Sequence, residues 1–225
     1  MEDFVASFLN VSSMRTVAPL LWQGLGVTAA LTAAVVPAAL VLGLAIAALR
    51  DLRVPILNAM LVAYVDLLRA LPPLVLMIYL YSGLPFLGVR LDAFQTVVLA
   101  LVANGAAFFG EIIRAGLESV SRGQREAARA TGLGVIATEL FIVIPQGLKR
   151  VVPPIASNVI ELTKATALGS VLALPELLRT ARMGQSIVYD ATPLVMAAGI
   201  YLAFLWPAVR LLSRLEHRMT TSLGR

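Results

Sequence analysis

Residues 25–49 read Leu25-Gly26-Val27-Thr28-Ala29-Ala30-Leu31-Thr32-Ala33-Ala34-Val35-Val36-Pro37-Ala38-Ala39-Leu40-Val41-Leu42-Gly43-Leu44-Ala45-Ile46-Ala47-Ala48-Leu49, with no charged side chain, and are closed by Arg50, Asp51 and Arg53. At about 1.5 Å per residue a helix of this length covers a hydrocarbon core of about 30 Å. The stretch therefore predicts a membrane-spanning helix. The whole chain agrees: of its 225 residues 59% are hydrophobic and 14% charged, and the mean hydropathy is +0.87, too apolar for an ordinary soluble domain.

Outward from this span, Val17 to Gly24 is semi-amphipathic, and residues 1–24 are expected to form an extracytoplasmic or interfacial segment. Glu2 and Asp3 at the front do not resemble a cleaved signal peptide. On the C-terminal side, Val54 to Ala70 carries Asp66 and Arg69 and reads as an interfacial or packed helix, broken by Pro72 and Pro73. Further spans are expected at about Leu74–Val89, Phe94–Ile113, Pro154–Leu174 and Pro193–Leu212. In the third span Ala103, Gly105, Ala106, Ala107 and Gly110 form a small-residue face that lets another helix approach closely. The fold class is thus an all-α integral membrane protein of about five transmembrane helices. Its membrane domain covers residues 25–213, including a polar loop at 114–150, and a basic tail covers 214–225.

Orientation follows from the basic residues. Arg50, Arg53, Arg69, the basic residues of 114–150, Arg210, Arg214, Arg218 and Arg225 fall on one side, against Arg15, Arg90, Arg179 and Arg182 on the other. The richer side is cytoplasmic, which places the N-terminus outside and the C-terminus inside. The net charge of +5 is accounted for in this way, and no nucleic-acid partner is expected.

The polar loop is helical in pattern. Ser121 and Gln124 have the spacing of a capping box. Glu126 stands between Arg122 and Arg129 at helical spacing, Ala127, Ala128 and Ala130 favour helix, and Gly132 suits a left-handed C-terminal cap. A second amphipathic helix is predicted over Val135–Ile144, ended or bent by Pro145. On helix signals alone, this hairpin is either a surface connection or a docking element, and Glu126 is either satisfied within its own helix or free for a partner.

Two i,i+3 ion pairs are expected at membrane depth, where an unpaired charge is expensive. Glu111 with Arg114 reads as a pair at the cytoplasmic edge, with the arginine reaching to the interface, in preference to a substrate contact. Glu161 with Lys164, sharing a face with Asn158 and Ala165, reads either as a self-neutralising pair or as part of a translocation path.

Several chemistries lack their residues. A P-loop needs Gly-Lys followed by Ser or Thr, yet Lys149 follows Leu148 and Lys164 follows Thr163. With no cysteine and His217 as the sole histidine, neither a disulfide nor a histidine–cysteine metal site can be assembled. No catalytic residue is expected.

The run Glu126-Ala127-Ala128-Arg129-Ala130-Thr131-Gly132-Leu133-Gly134, followed by Ile144-Pro145-Gln146, resembles the EAA loop of bacterial ABC importer permeases. The likeness extends to Tyr64, Arg69-Ala70-Leu71-Pro72, Glu111 to Val120, Gly123-Gln124 and Lys164-Ala165-Thr166-Ala167-Leu168, so it covers most of the chain from about Gly24. Together these are similar to the polar amino acid branch: the histidine, glutamine, glutamate, arginine and opine permeases. The stretch Ile160 to Leu168 is also similar to permeases for compatible solutes such as ectoine. Ala165 and Ala167 depart from the usual Asp and Ser, removing an acidic group and weakening the case for a cationic substrate.

The resemblance implies a type I importer permease in the bacterial inner membrane. Gly123, Gln124, Glu126, Ala127, Ala128, Gly132 and Pro145 would couple it to an ATPase, and Asn158, Glu161, Lys164 and Thr166 are candidates for the solute pathway. It implies two ATPase subunits carrying ATP and Mg, with no cofactor on this chain. A second permease copy or paralogue, an extracytoplasmic solute-binding protein, the lipid bilayer and a small polar solute complete the expected partners. The competing class is a gradient-driven secondary transporter or channel subunit.

Overall fold

Helix α1 runs from Val11 to Asp51, so the apolar stretch is the second half of a longer helix and there is no break at residue 24. Asn10 caps it: its Oδ1 accepts from the Ser12 backbone N–H at 3.0 Å and the Ser13 N–H at 3.4 Å. Pro19 and Pro37 lie within it. The computed structural model describes residues 7–51 and 54–223, without side chains at 51 and 215–223; Glu2, Asp3, Arg53 and Arg225, and the side chains of His217 and Arg218, lie outside the described residues.

After α1 come α2 (Pro55–Ala70) and α3 (Pro73–Gly83), separated as the proline pair predicts. A 3-10 turn at Leu84–Leu87 ends at Gly88, whose φ of +80° is accessible to glycine. Then follow α4 (Ala93–Glu118), α5 (Arg122–Ala130), α6 (Val135–Thr138), a π-helical turn at Glu139–Val143, and α7 (Ile144–Ala165). A 3-10 stretch at Thr166–Leu172 leads to α8 (Leu177–Val188) and α9 (Thr192–Leu223). The described residues contain no strand.

Among the described residues three stretches are long and apolar enough to cross a membrane, Val11–Arg50, Ala93–Glu118 and Thr192–Arg214, or four if α2 and α3 with its 3-10 turn count as one broken span. The span expected at Pro154–Leu174 is not among them. Its helix begins earlier, at Ile144, and gives way to the 3-10 stretch after Ala165.

The chain divides into two units, each assembled from segments distant in sequence: residues 1–37, 71–102 and 160–209 in the first, and 38–70, 103–159 and 210–225 in the second. In the first, Val17 and Leu21 of α1 pack with Leu177 and Ala181 of α8 and Ala197 of α9. Val17 and Leu21, although they precede residue 25, therefore belong to this core. In the second, the small-residue face of α4 does what its composition predicts. A Cβ on Gly43 would lie 2.5 Å from Phe109 Cβ and 2.9 Å from the Gly110 backbone nitrogen, so α1 and α4 meet nearly backbone to backbone. The Tyr64 hydroxyl donates to the Ala103 carbonyl at 2.7 Å and Asn104 Nδ2 to the Leu68 carbonyl at 2.6 Å, holding α2 to α4.

Candidate functional site

Helix α5 lies in the polar loop, within the second unit. Ser121 occupies the N-cap in extended conformation, but its side chain makes no capping bond. The expected capping box is therefore absent. Gln124 instead accepts a hydrogen bond through its Oε1 from Gln146 Nε2 at 3.4 Å. The C-terminal end agrees with expectation: Gly132 has φ +90°, its N–H donates to the Arg129 carbonyl at 3.0 Å, and the Leu133 N–H donates to Ala128 at 3.3 Å. These bonds form a Schellman motif, which needs a left-handed residue at this position.

Glu126 is exposed and forms no ion pair with Arg122 or Arg129 among the described residues. It is thus not satisfied within its own helix. Gly123, Gln124, Ala127, Gly132 and Pro145 are also exposed, whereas Ala128 is buried and seats the helix. A Cβ added at Gly123, Gly132 or Gly134 would meet nothing within 4 Å, so this face of the loop is open.

Of the two outcomes expected at Pro145, an ended helix or a bent one, the first does not occur. A proline inside a helix lacks an N–H and its ring collides with the carbonyl four residues earlier. The turn at Glu139–Val143 is widened to π geometry, the Ile144 N–H reaches back to the Glu139 carbonyl, and α7 continues to Ala165.

Beside this loop, Glu111 accepts from Arg114 as expected. Arg50 of α1 joins it at 3.0 Å, and Arg114 also pairs with Glu118. Arg50 lies far away in sequence, so spacing alone could not reveal it.

Glu161 and Lys164, in the first unit, are paired at 2.6 Å with side chains 64% and 50% exposed. Asn158, on the same helix but in the second unit, has a buried Nδ2 without a hydrogen-bond partner among the described residues. Thr166 is fully buried, with its hydroxyl donated to the Thr163 carbonyl at 2.7 Å.

Glu176, which the sequence reading passed over, is a buried carboxylate in the first unit. It caps α8, accepting from the Leu178 and Arg179 backbone N–H groups at 2.8 and 2.7 Å, and the Tyr201 hydroxyl donates to it at 3.3 Å. Thr28 accepts from the Leu177 N–H at 3.1 Å and donates to the Gly24 carbonyl at 3.1 Å. Burial pushes the Glu176 carboxyl above its ordinary range, opposed by these hydrogen bonds and by the charge of Arg182. Glutamate is not a favoured N-cap type, so no local signal marked it. A cavity of about 580 Å³ in the same unit is lined mainly by apolar side chains, among them Trp22, Leu25, Ile200, Phe204 and Leu205, with Thr28, Thr32, Thr163 and Tyr201 also on its wall.

Residues 39–221 match the family described as binding-protein-dependent transport system inner membrane component. A probable glutamine ABC transporter permease protein of Bacillus subtilis (strain 168) is 38% identical, over 89% of this chain and 94% of its own. The glutamine transport system permease protein of Escherichia coli (strain K12) is 30% identical, over 89% and 93%. Among solved structures, an amino acid ABC transporter with histidines superposes at a TM-score of 0.86 and 33% identity, over 92% of this chain and 97% of that one. An inward-facing methionine ABC transporter superposes at 0.73 and 20% identity, over 89% and 96%, a likeness of fold alone. An all-helical chain with apolar spans and an open, capped helix in its polar loop, matched along most of its length, is therefore a multi-pass member of the binding-protein-dependent transport system inner membrane component family, a permease subunit of an ABC transporter.

Proposed function

We propose that this permease carries a polar amino acid or amino-acid-like solute inward, driven by ATP hydrolysed on separate subunits. The observation that carries the coupling is α5: a short helix, closed by a Schellman motif, with an open glycine-bearing face and an unpaired exposed Glu126. A helix closed by a C-terminal Schellman motif transmits a push, and an exposed carboxylate without a partner among the described residues is available to one in another chain. Relatives named for glutamine and an amino acid transporter of like fold support the solute class.

The exposed Glu161–Lys164 pair supports a polar pathway, because charges this open are expensive against lipid. Covering that face calls for a second permease copy or paralogue. Two ATPase subunits, holding ATP and Mg, would bind beneath the pair, and an extracytoplasmic binding protein would deliver solute. The N-terminus lies outside and the C-terminus in the cytoplasm. The chain itself hydrolyses no ATP.

The test is reconstitution of this chain with its ATPase, partner permease and binding protein, reading ATP hydrolysis and solute uptake together. The native complex is expected to couple both, and Gly132→Asp, which strains a backbone at φ +90°, to uncouple them in a folded complex. Uptake driven by an ion gradient without ATP would overturn the reading.

A further inference from the structure

Where the polar loop leaves and re-enters the helices on either side, α4 and α7 approach almost backbone to backbone. A Cβ on Gly116 would lie 1.9 Å from Val151 Cγ1 and 3.5 Å from the Gly147 carbonyl oxygen, and one on Gly147 would lie 3.3 Å from Leu117 Cα. Two arginines close this base. Helix α4 ends at Glu118, and the last carbonyls of a helix lack intrahelical donors and carry partial negative charge. Arg125, from the first turns of α5, donates through Nη2 to the Leu117 carbonyl at 3.4 Å. Its Nε lies 3.2 Å from Glu139 Oε1 as an ion pair, though not aligned as a hydrogen bond. Arg150, from α7, donates through Nη1 to the Ser119 carbonyl and, at 2.8 Å, to Ser119 Oγ. The end of α4 is thus held from both sides of the loop, and Arg125 also reaches the π turn that leads into α7.

We infer that Arg125 and Arg150 are positioning residues for coupling: Arg125 ties α5 to the end of α4 and to the turn before α7, and Arg150 ties α7 to the same end of α4, so that a displacement of α5 moves these helices instead of being absorbed in the turns at 119–121 and 131–134. This rests on the coupling role given to α5 above. The two arginines act differently. Arg150 makes both of its bonds from one nitrogen, which a lysine ammonium can imitate. Arg125 reaches in two directions from two nitrogens, which a point charge cannot.

The experiment uses the complete importer in proteoliposomes and reads solute imported per ATP hydrolysed, together with ATPase retention on purification. Arg125→Ala and Arg150→Ala are expected to keep the ATPase and its binding-protein-stimulated hydrolysis, while solute per ATP falls about fivefold or more. Arg150→Lys is expected to restore most of the ratio and Arg125→Lys little of it. A native ratio in both alanine variants overturns the inference. A native complex that binds no ATPase overturns the coupling reading beneath it, a distinguishable failure. Should the alanine variants not assemble, hydrogen exchange on the native importer decides: amides of residues 116–125 and 146–150 are expected to be equally protected with and without nucleotide, and loss of protection on adding nucleotide shows that the base opens and refutes the lock.

Discussion

Gly26→Ala and Gly43→Ala place the same methyl group on the same helix, α1, and are expected to have different consequences. At Gly26 the added Cβ meets nothing within 4 Å. At Gly43 it would sit 2.5 Å from Phe109 Cβ, 2.9 Å from the Gly110 nitrogen and 3.1 Å from the Ala106 carbonyl oxygen. Carbon atoms pack best at about 3.5–4.0 Å, so α1 and α4 must part by about 1 Å. The atoms in the way are backbone or next to it and cannot rotate aside. Replacing glycine by alanine favours a helix by roughly 1 kcal/mol, but that term is common to both variants and cancels in their difference. What remains is the overpacking, about 1–3 kcal/mol. Equilibrium unfolding of the purified permease in mixed micelles, followed by tryptophan fluorescence, measures it. Gly43→Ala is expected to be less stable than Gly26→Ala by that amount. Equal stabilities would refute the close crossing of α1 and α4.

At Glu176, burial raises the carboxyl pKa, so over the pH interval between the ordinary glutamate range and the folded-state value the folded protein binds more protons than the unfolded chain. Stability is therefore fully present below the ordinary glutamate range and declines as pH rises through it, until the folded-state value is passed. Glu176→Gln, which keeps an oxygen to cap α8, is expected to flatten that decline in unfolding measured across pH. At Glu111, Glu111→Gln removes the charge that faces Arg50 and Arg114 together. Leaving two partly buried guanidinium groups with a neutral partner is expected to cost about 1–3 kcal/mol, read by the same unfolding assay, whereas Glu118→Gln, at a side chain 65% exposed, is expected to cost under about 1 kcal/mol.

The sequence by itself determined what depends on neighbours along the chain. Unbroken apolar length placed the protein in a bilayer, Pro72 and Pro73 divided α2 from α3, and Gly132 marked the end of α5, because a Schellman motif requires a left-handed backbone within a few residues. The small-residue face of α4 announced a close crossing for the same local reason. The tertiary structure alone decided what depends on partners far off in sequence. Gln124 meets Gln146 and leaves the capping box unmade, and Arg50 completes the Glu111 cluster. Glu176 can be buried because Tyr201, from another helix, supplements the backbone donors of its own. Pro145 is carried inside a continuing helix by a π turn that no periodicity announces. Arg125 and Arg150 look like ordinary basic loop residues until the fold brings the last carbonyls of α4 within their reach. Periodicity and turn chemistry are local properties, whereas the pairing of buried polar groups is settled only when helices meet.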